Sequence, residues 1–198
     1  RIQDSHDILG TFEVCSDMNF MKTSPKSSDE FISSLQLINK KVISSRADKK
    51  PGEFKTRANK AGNTFFVHPD YVEGTLRRAF EISQTISEAA SRAIFLSFVV
   101  SEVHPFNDGN GRTSRIILNR ELLANQYPSI IIPTVYRDDY IGTLRTLSRK
   151  GRTAPICKMF LRALTFSNLN FSNYQEVKRD LVSKNWFIEP QEGKILDS

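Results

Sequence analysis

Apolar residues recur at helical spacing along most of the chain. The segment 89–103 is apolar on most faces, which predicts a helix at the centre of a bundle and the most buried element of the fold. Further segments with this spacing predict helices at 29–46, 72–86, 116–124, 138–150, 153–166 and 172–184. Because the chain shows no repeat, low-complexity tract or linker, we expect one all-α domain over residues 1–198.

Polar residues at the predicted helix starts supply candidate caps. Ser27, Ser28 or Asp29 suits the helix at 29–46, and Asp70 suits the helix that follows. Thr85 and Glu88 have the spacing of a capping box for the helix at 89–103.

One segment has the composition of a β element. Residues 53–67 are rich in β-branched and aromatic side chains, with Gly62-Asn63 near the middle. This pattern predicts a small hairpin or flap beside the helices.

The overall composition is that of an ordinary globular protein. Apolar residues make up 39%, aromatic residues 10% and charged residues 25%, which excludes disordered, collagen-like and coiled-coil chains. The longest apolar stretch, 93–100, is far shorter than the roughly 20 residues that a membrane span needs, so we expect no membrane partner. The chain opens Arg-Ile-Gln-Asp, so we expect no secretory peptide and interpret the chain as a fragment.

Cysteine usage and net charge bear on the cellular location and on the class of partner. Cys15 and Cys157 are far apart and form no CxxC pair, which favours reduced thiols and a cytoplasmic location. The net charge of +6 invites a nucleic-acid interpretation, but we find no helix-turn-helix or aromatic stacking set and do not favour it.

The positive charge is concentrated in residues 40–60. The basic residues there are Lys40, Lys41, Arg46, Lys49, Lys50, Lys55, Arg57 and Lys60, against Asp48 and Glu53. This stretch would suit an acidic protein, nucleotide or phosphate partner, although a solvated basic loop is the commoner explanation.

The stretch His-Pro-Phe-Asn-Asp-Gly-Asn-Gly-Arg-Thr-Ser-Arg at 104–115 is the most informative in the chain. Pro105 should end the preceding helix and leave His104 at its end, with Phe106 anchoring the loop in the core. His104 has a pKa near neutrality in its ordinary state, so it is a candidate general base. Asp108 is a candidate Mg²⁺ ligand, because a carboxylate beside a phosphate site needs a cation between them.

The second half of this stretch has the features of an anion site. Gly109 and Gly111 leave backbone N–H groups open to an anion, and Asn110 suits the N-cap of the helix that follows. A helix N-terminus favours phosphate, and Arg112 and Arg115, three residues apart, add charged donors.

Other interpretations explain less of this stretch. A tight turn explains Asp108 to Gly111 but not the His-Pro-Phe sequence or the arginines. The spacing does not fit an EF-hand, and the Walker A ending and kinase signatures are missing. The histidines at 6, 68 and 104 are scattered and no cysteines are paired, so we do not expect a structural zinc site.

Residues 104–112 resemble the active-site signature of the Fic family, His-Pro-Phe-x-Asp/Glu-Gly-Asn-Gly-Arg, and match every defined position. The resemblance extends over about residues 5–190 as a pattern of helices around a hairpin. It implies an all-α, Fic-type helical bundle with a small β-hairpin flap. It also implies a protein adenylyltransferase, which transfers AMP from ATP to a Ser, Thr or Tyr hydroxyl of a target protein and releases pyrophosphate.

The resemblance assigns roles to the motif residues. His104 becomes the general base and Asp108 the Mg²⁺ ligand at the α- and β-phosphates. The nucleotide-binding residues are Gly109, Asn110, Gly111, Arg112 and Arg115, with Arg115 as the contact to the γ-phosphate. The kinase-like branch of the family has Lys where this chain has Gly111, which favours transfer of a nucleotidyl group.

The resemblance also implies that the flap at 53–67 clamps the target by strand addition. The target-docking residues would be Lys55, Arg57, Phe65 and Phe66. Two departures from the family pattern bear on target recognition: Lys55 stands where Arg is common, and Val67-His68-Pro69 where two prolines often occur.

The remaining expectations concern inhibition of the enzyme and the other functions that the sequence allows. Many Fic proteins are inhibited by a [Ser/Thr]-x-x-x-Glu-[Gly/Asn] helix, but after Ser172 and Glu176 the last position is Val177. We therefore expect an inhibitory helix upstream of Arg1 or an inhibitory partner. The alternatives are a Fic-fold enzyme that transfers UMP, phosphocholine or phosphate or removes AMP, and a non-catalytic basic module.

Overall fold

The computed structural model describes residues 2–62 and 64–183 and divides the chain into two compact units, 1–128 and 129–198. The described helices of the first unit are α1 (Ile2–Ser16), α2 (Met18–Met21), α3 (Ser28–Val42), α4 (Val72–Ser83), α5 (Ala89–Val103) and α6 (Asn110–Ala124). Those of the second unit are α7 (Arg137–Lys150), α8 (Ala154–Ser167) and α9 (Tyr174–Ser183). The predicted all-α class is confirmed, while the single domain over residues 1–198 stays a prediction.

The hairpin is shorter than the segment that predicts it. Strand β1 (Lys60–Ala61) pairs antiparallel with β2 (Thr64–Phe65), with Lys60 opposite Phe65 and Ala61 opposite Thr64. The turn includes Gly62, as predicted, and Asn63 lies outside the described residues. The remainder of 53–67 is irregular chain that carries the hairpin.

The core of the first unit lies between α3, α4, α5 and α6. On α3, Phe31, Leu35, Ile38 and Val42 are fully buried at the spacing of one helical face. Ser27 caps this helix by accepting a hydrogen bond from the Glu30 N–H (3.2 Å), which confirms one of the three candidate caps.

The expectation that 89–103 is the most buried element is wrong. In α5 the buried side chains are Ala89, Ala93, Leu96, Ser97, Val100 and Val103, while α6 buries nine residues. Phe95 and Phe98 of α5 are only half-buried. Helix α6 is more enclosed because polar residues along its length are buried together with its apolar face.

Two predicted caps are also wrong. His68 accepts from the Asp70 N–H at a short 3-10 turn, and α4 begins only at Val72. Glu88 itself caps α5 by accepting from the Ala90 and Ser91 N–H groups, while Thr85 donates back to the Ile82 carbonyl. A capping box needs Thr at the N-cap and Glu three residues inside the helix, and here Glu88 is the N-cap.

Other helix boundaries shift by different amounts. Helix α6 begins at Asn110, six residues before the predicted start at Ile116, and α3 ends at Val42 instead of residue 46. The predicted helix at 172–184 begins at Tyr174, and its predicted last residue, Lys184, lies outside the described residues.

Helix α1 has no counterpart among the predicted elements. Its buried residues include Asp7, Gly10 and Val14, whereas Ile8, Leu9 and Phe12 are exposed. A Cβ on Gly10 would lie 2.2 Å from the Lys41 carbonyl oxygen, so α1 crosses α3 at backbone contact. The apolar pattern therefore does not mark the face by which α1 packs.

Helices α7 and α8 form the core of the second unit. Ile156, Met159, Phe160 and Ala163 of α8 are buried at helical spacing, and Tyr140 of α7 meets Phe160 edge-on, with ring centroids 6.0 Å apart. None of the described helices is long and apolar enough to cross a bilayer.

Replacing Leu35 with Ala should lower the free energy of unfolding by about 3 kcal/mol, because the fully buried side chain leaves a cavity. Leu37→Ala on the same helix, where the side chain is 44% exposed, should cost less than about 1 kcal/mol. Urea unfolding followed by circular dichroism measures both, and equal losses would contradict the placement of the core.

Candidate active site

His104 stands where α5 ends and the loop to α6 begins. Its backbone has φ of 50°, a left-handed conformation that turns the chain sharply before Pro105. The Nδ1 atom lies 3.3 Å from the Ser101 carbonyl oxygen, so Nδ1 carries the proton and Nε2 is left as the acceptor. Burial lowers the pKa of His104, as does the nearby Lys55, while the Ser101 bond and Asp108 oppose the shift.

The buried side chain of Asn110 fixes the loop from within. Its Oδ1 accepts from the Phe106 N–H (2.8 Å) and its Nδ2 donates to the Phe106 carbonyl (2.8 Å). Phe106 is itself fully buried and packs against Phe54 beneath the loop. Because the Asn110 side chain is used in this way, any anion contact at this position would come from its backbone N–H.

Two asparagines from distant segments hold the same loop. Asn39 of α3 donates to the Asp108 carbonyl (2.8 Å) and accepts from the Gly52 N–H (3.0 Å). Asn59, before the hairpin, donates to the carbonyls of His104 (3.1 Å) and Phe106 (3.2 Å). The loop backbone is therefore tied to both α3 and the flap.

The N-cap of α6 is Gly109, not Asn110. Gly109 has φ of 79°, and a Cβ there would lie 2.9 Å from both Asn39 Nδ2 and Ile43 Cγ2. A glycine has no side chain to cap the helix, and α6 has no side-chain cap among the described residues. The first-turn N–H groups of residues 110–112 therefore face outward as anion donors.

Four charged side chains form a closed ring beside this helix end. Asp7 of α1 pairs with both Arg46 and Arg112 (2.5 Å to Arg112 Nη1). Asp108 in turn lies 2.9 Å from Arg46 Nη1 and 3.9 Å from Arg112 Nη2. Asp108 Oδ1 also accepts from the Gly109 N–H (2.6 Å). The ring alternates negative and positive groups and holds Arg112 at the start of α6.

Asp7 belongs to this charge ring, although the sequence analysis did not single it out. Burial alone would raise its pKa, but the hydrogen bonds from Arg46 and Arg112 outweigh burial and lower it. Asp7 therefore stays ionised and pairs with the two guanidinium groups at neutral pH. A lone Asp in a segment without an amphipathic pattern gives no signal of this role.

Arg115 lies one turn further along α6. The Cβ that a substitution would place at Gly111 meets Arg115 Nη1 at 3.4 Å, so the Arg115 guanidinium folds back over Gly111. The structure thus brings all the predicted motif residues from His104 to Arg115 to one end of α6.

The predicted docking residues of the flap take different places. Lys55 is buried, and its Nζ donates to Asn59 Oδ1 (2.6 Å) and the Val103 carbonyl (3.1 Å). Burial lowers its pKa to about 8. Arg57 and Phe65 are exposed, with Phe65 76% accessible. Phe66 stacks on the imidazole of His104, with ring centroids 3.9 Å apart.

A family comparison agrees with this arrangement. The model of the Fic/DOC family matches residues 32–122, a range that includes most of α3, the hairpin, α4, α5, the motif loop and most of α6. Residues 32–122 are a Fic domain.

Relatives and solved structures carry the same family name. The protein adenylyltransferase fic-1 of Caenorhabditis elegans is 26% identical over 99% of this chain and 40% of its own length. The protein adenylyltransferase Fic of Drosophila persimilis is 38% identical over 33% of this chain and 13% of its own length. The chain therefore spans less than half the length of these relatives.

The structural comparisons concern the fold. A C. elegans Fic-1 structure superposes with a TM-score of 0.67 and 22% identity, over 91% of this chain and 53% of that one. A Fic domain containing signaling protein from Bacteroides thetaiotaomicron gives 0.65 and 20% identity, over 100% of this chain and 76% of that one. These likenesses show that the helical arrangement is that of the Fic fold.

The basic stretch at 40–60 of the Fic domain is not one uniform surface. Arg46 belongs to the charge ring and Lys55 is buried, while Lys41 pairs with Glu13 (2.7 Å) and Lys49 with Asp48 (3.0 Å). Lys55 therefore reaches the base of the flap instead of a docked target, which corrects its expected position. The sequence count overstates the charge that this stretch presents to a partner.

Gly109→Ala should destabilise the Fic domain by about 2 kcal/mol or more, because an L residue is strained at this φ and its Cβ meets Asn39 and Ile43. Gly74→Ala on α4 is the matched control, since a Cβ there has open space and Ala favours helix. Thermal unfolding compares them, and a Gly109→Ala protein as stable as the control would contradict the loop geometry.

Asp7→Asn should lower the free energy of unfolding by about 2 kcal/mol at pH 7, since it removes the buried charge that pairs with two largely buried arginines. The pKa of Asp7 is lowered in the folded state, so its contribution is full above about pH 4 and is lost as the pH falls through the folded pKa. Urea unfolding of both proteins at several pH values measures this difference.

Glu13→Gln on the same helix is the control for Asp7. Glu13 is exposed and pairs with Lys41 at the surface, so its loss should cost less than about 0.5 kcal/mol. A wild-type advantage over Asp7→Asn that persists unchanged at the lowest pH would contradict the charge ring.

Proposed function

We propose that the chain is a protein adenylyltransferase that transfers AMP from ATP to a hydroxyl side chain of a target protein. The observation that carries the proposal is the placement of His104 Nε2, as a proton acceptor, beside the open N-terminus of α6. The names of the nematode and insect relatives support the same reaction.

His104 supplies the base for this reaction. Its Nε2 takes the proton of a Ser, Thr or Tyr hydroxyl as the hydroxyl oxygen attacks the α-phosphorus of ATP. A new O–P bond forms, the bond from the α-phosphorus to the bridging oxygen breaks, and pyrophosphate leaves. Because burial lowers the pKa of His104, the imidazole is neutral and ready to accept a proton at pH 7.

The start of α6 stabilises the phosphates. The backbone N–H groups of Gly111 and Arg112 point out of the first turn, where they would bind the α- and β-phosphate oxygens. The guanidinium groups of Arg112 and Arg115 add charge-assisted donors for the developing negative charge. The ring with Asp7 and Arg46 holds Arg112 in place before ATP arrives.

Asp108 is the residue that would hold Mg²⁺. The ion binds proteins through one or two carboxylates and completes its shell with phosphates and water, so the Asp108 carboxylate at this helix end fits. No cluster of three or more acidic, His or Cys side chains occurs among the described residues, and the phosphates would supply the remaining ligands. When bound, Mg²⁺ would neutralise phosphate charge, and Asp108, which accepts from Arg46 through Oδ2, would be the residue that holds it.

The flap would present the target hydroxyl to His104. Its short strands have unpaired edges to which a target segment can add, and Phe65 offers an exposed apolar contact. Arg57 is also exposed on the flap and would favour a target with acidic residues.

The two cysteines bear on the cellular compartment. Cys15 and Cys157 are free thiols, which supports a reducing compartment such as the cytoplasm.

Arg115 is the residue on which an inhibitory partner or helix would act, as the family resemblance implies. Gly111, where the kinase-like branch has Lys, supports nucleotidyl over phosphoryl transfer.

Incubation with Mg²⁺ and ATP labelled at the α- or the γ-phosphate tests the proposal on the chain itself and on a cell lysate. Label should reach protein only from the α-position. His104→Ala should abolish the transfer, whereas His6→Ala, at an exposed histidine of α1, should retain it. Label from the γ-position alone, or no label from either, would overturn the proposal.

The transfer rate should also depend on pH in a defined direction. Protonated His104 cannot accept the hydroxyl proton, so the rate at saturating ATP should fall about tenfold per pH unit below the pKa of His104. Because that pKa is lowered, the fall should begin below about pH 6.5. A rate that already falls above that value would contradict the assignment.

A further inference from the structure

The flap places two adjacent phenylalanines on opposite sides. Successive side chains of an extended chain point in opposite directions, and Phe65 is accordingly 76% exposed while Phe66 turns inward. The Phe66 ring lies over the imidazole of His104 with centroids 3.9 Å apart and planes only 6° from parallel. Phe65 therefore faces solvent, whereas Phe66 faces His104.

Phe66 is held in this position by bonds to the loop that carries His104. The Phe66 N–H donates to the Asn59 carbonyl (3.3 Å), and the Asn59 side chain donates to the His104 carbonyl (3.1 Å). Lys55 fixes the Asn59 side chain in turn, at 2.6 Å from Oδ1. Phe66 and His104 are thus connected through the hydrogen bonds of Asn59 as well as by their stacked side chains.

The stacking restricts the histidine without blocking its chemistry. The lone pair of Nε2 lies in the plane of the imidazole, so a ring over the face leaves the reactive edge open. The Ser101 carbonyl holds Nδ1 at one edge, and Phe66 holds the plane against rotation. Together the two contacts determine the direction in which Nε2 points.

We propose that Phe66 is a positioning residue for His104, which orients the imidazole and shields one of its faces from water. This inference rests on the proposed function of His104 as the general base. It gives the flap a second task besides target docking and assigns that task to Phe66, whereas docking is left to Phe65 and Arg57.

Loss of the ring has a consequence that can be measured without any reaction. Among the described residues, the charged groups that act on the imidazole are Lys55 of the flap and Asp108 of the loop, and both remain in a Phe66 variant. Removing Phe66 admits water to the face, so the pKa of His104 should rise toward about 6.5, the value of an exposed histidine.

The test compares Phe66→Ala with Phe65→Ala in the full chain. NMR titration of the His104 ring protons, without nucleotide, should show a raised pKa in Phe66→Ala and an unchanged value in Phe65→Ala. Phe66→Tyr, which keeps the ring, should restore the wild-type value. An unchanged His104 pKa in Phe66→Ala would overturn the proposal.

Transfer kinetics supply a second, independent measurement. With labelled ATP, kcat should fall roughly 10- to 100-fold in Phe66→Ala while KM for ATP stays the same, because orientation of the base is lost and the phosphate site is untouched. An unchanged kcat in Phe66→Ala would contradict the positioning role.

The controls separate folding and function from positioning. Circular dichroism verifies that each variant is folded, and Phe66→Leu, which keeps apolar cover without a flat ring, replaces Phe66→Ala if the latter unfolds. The leucine variant should have a lower kcat, while the pKa of His104 stays lowered. A leucine variant with the kcat of the wild-type protein would overturn the proposal. If no variant or wild-type protein transfers AMP but the pKa shifts as described, the proposed function fails and the positioning of the imidazole stands.

Discussion

Three asparagine side chains hold the backbone of the loop between α5 and α6, and the position of every group in the site depends on them. Asn110 bonds to both backbone groups of Phe106, Asn39 bonds to the Asp108 carbonyl, and Asn59 bonds to the His104 carbonyl. A buried loop must satisfy its polar backbone without water, and an amide side chain can both donate and accept. The loop is therefore rigid before ATP or a target binds.

The charge ring of Asp7, Arg46, Asp108 and Arg112 adds an electrostatic constraint. Two carboxylates and two guanidinium groups balance, so the ring can be partly buried without leaving an unpaired charge. Its members come from α1, from the segment after α3 and from the motif. The ring joins helix α1 to the anion site and explains how a residue far from the motif in sequence bears on Arg112.

The sequence determines some of these features locally. The helix at 89–103, the hairpin turn at Gly62 and the motif loop follow from apolar spacing, turn residues and a run of defined residue types. Helix α1 does not, because it buries Asp7 and Gly10 and exposes Ile8 and Phe12. Its face is set by the close crossing with α3 and by two arginines, which are tertiary contacts that no local pattern encodes.

The basic stretch shows the same division between local and tertiary information. Counting Lys and Arg between residues 40 and 60 predicts a charged surface, but the count does not tell which side chains turn inward. Lys55 is buried because the Val103 carbonyl and Asn59 offer it acceptors, and Arg46 turns toward two carboxylates. The inward or outward direction of Phe65 and Phe66 likewise depends on the loop that lies below the flap.

The most direct test of a rigid, preformed phosphate site is an NMR titration of the ¹⁵N-labelled chain with Mg²⁺ and ATP, in which the backbone amide shifts are followed residue by residue. The account predicts saturable shifts that are largest at residues 109–112, with small changes at exposed lysines such as Lys40 and Lys50. Saturable shifts concentrated on the basic stretch at 40–60, with residues 109–112 unaffected, would contradict it.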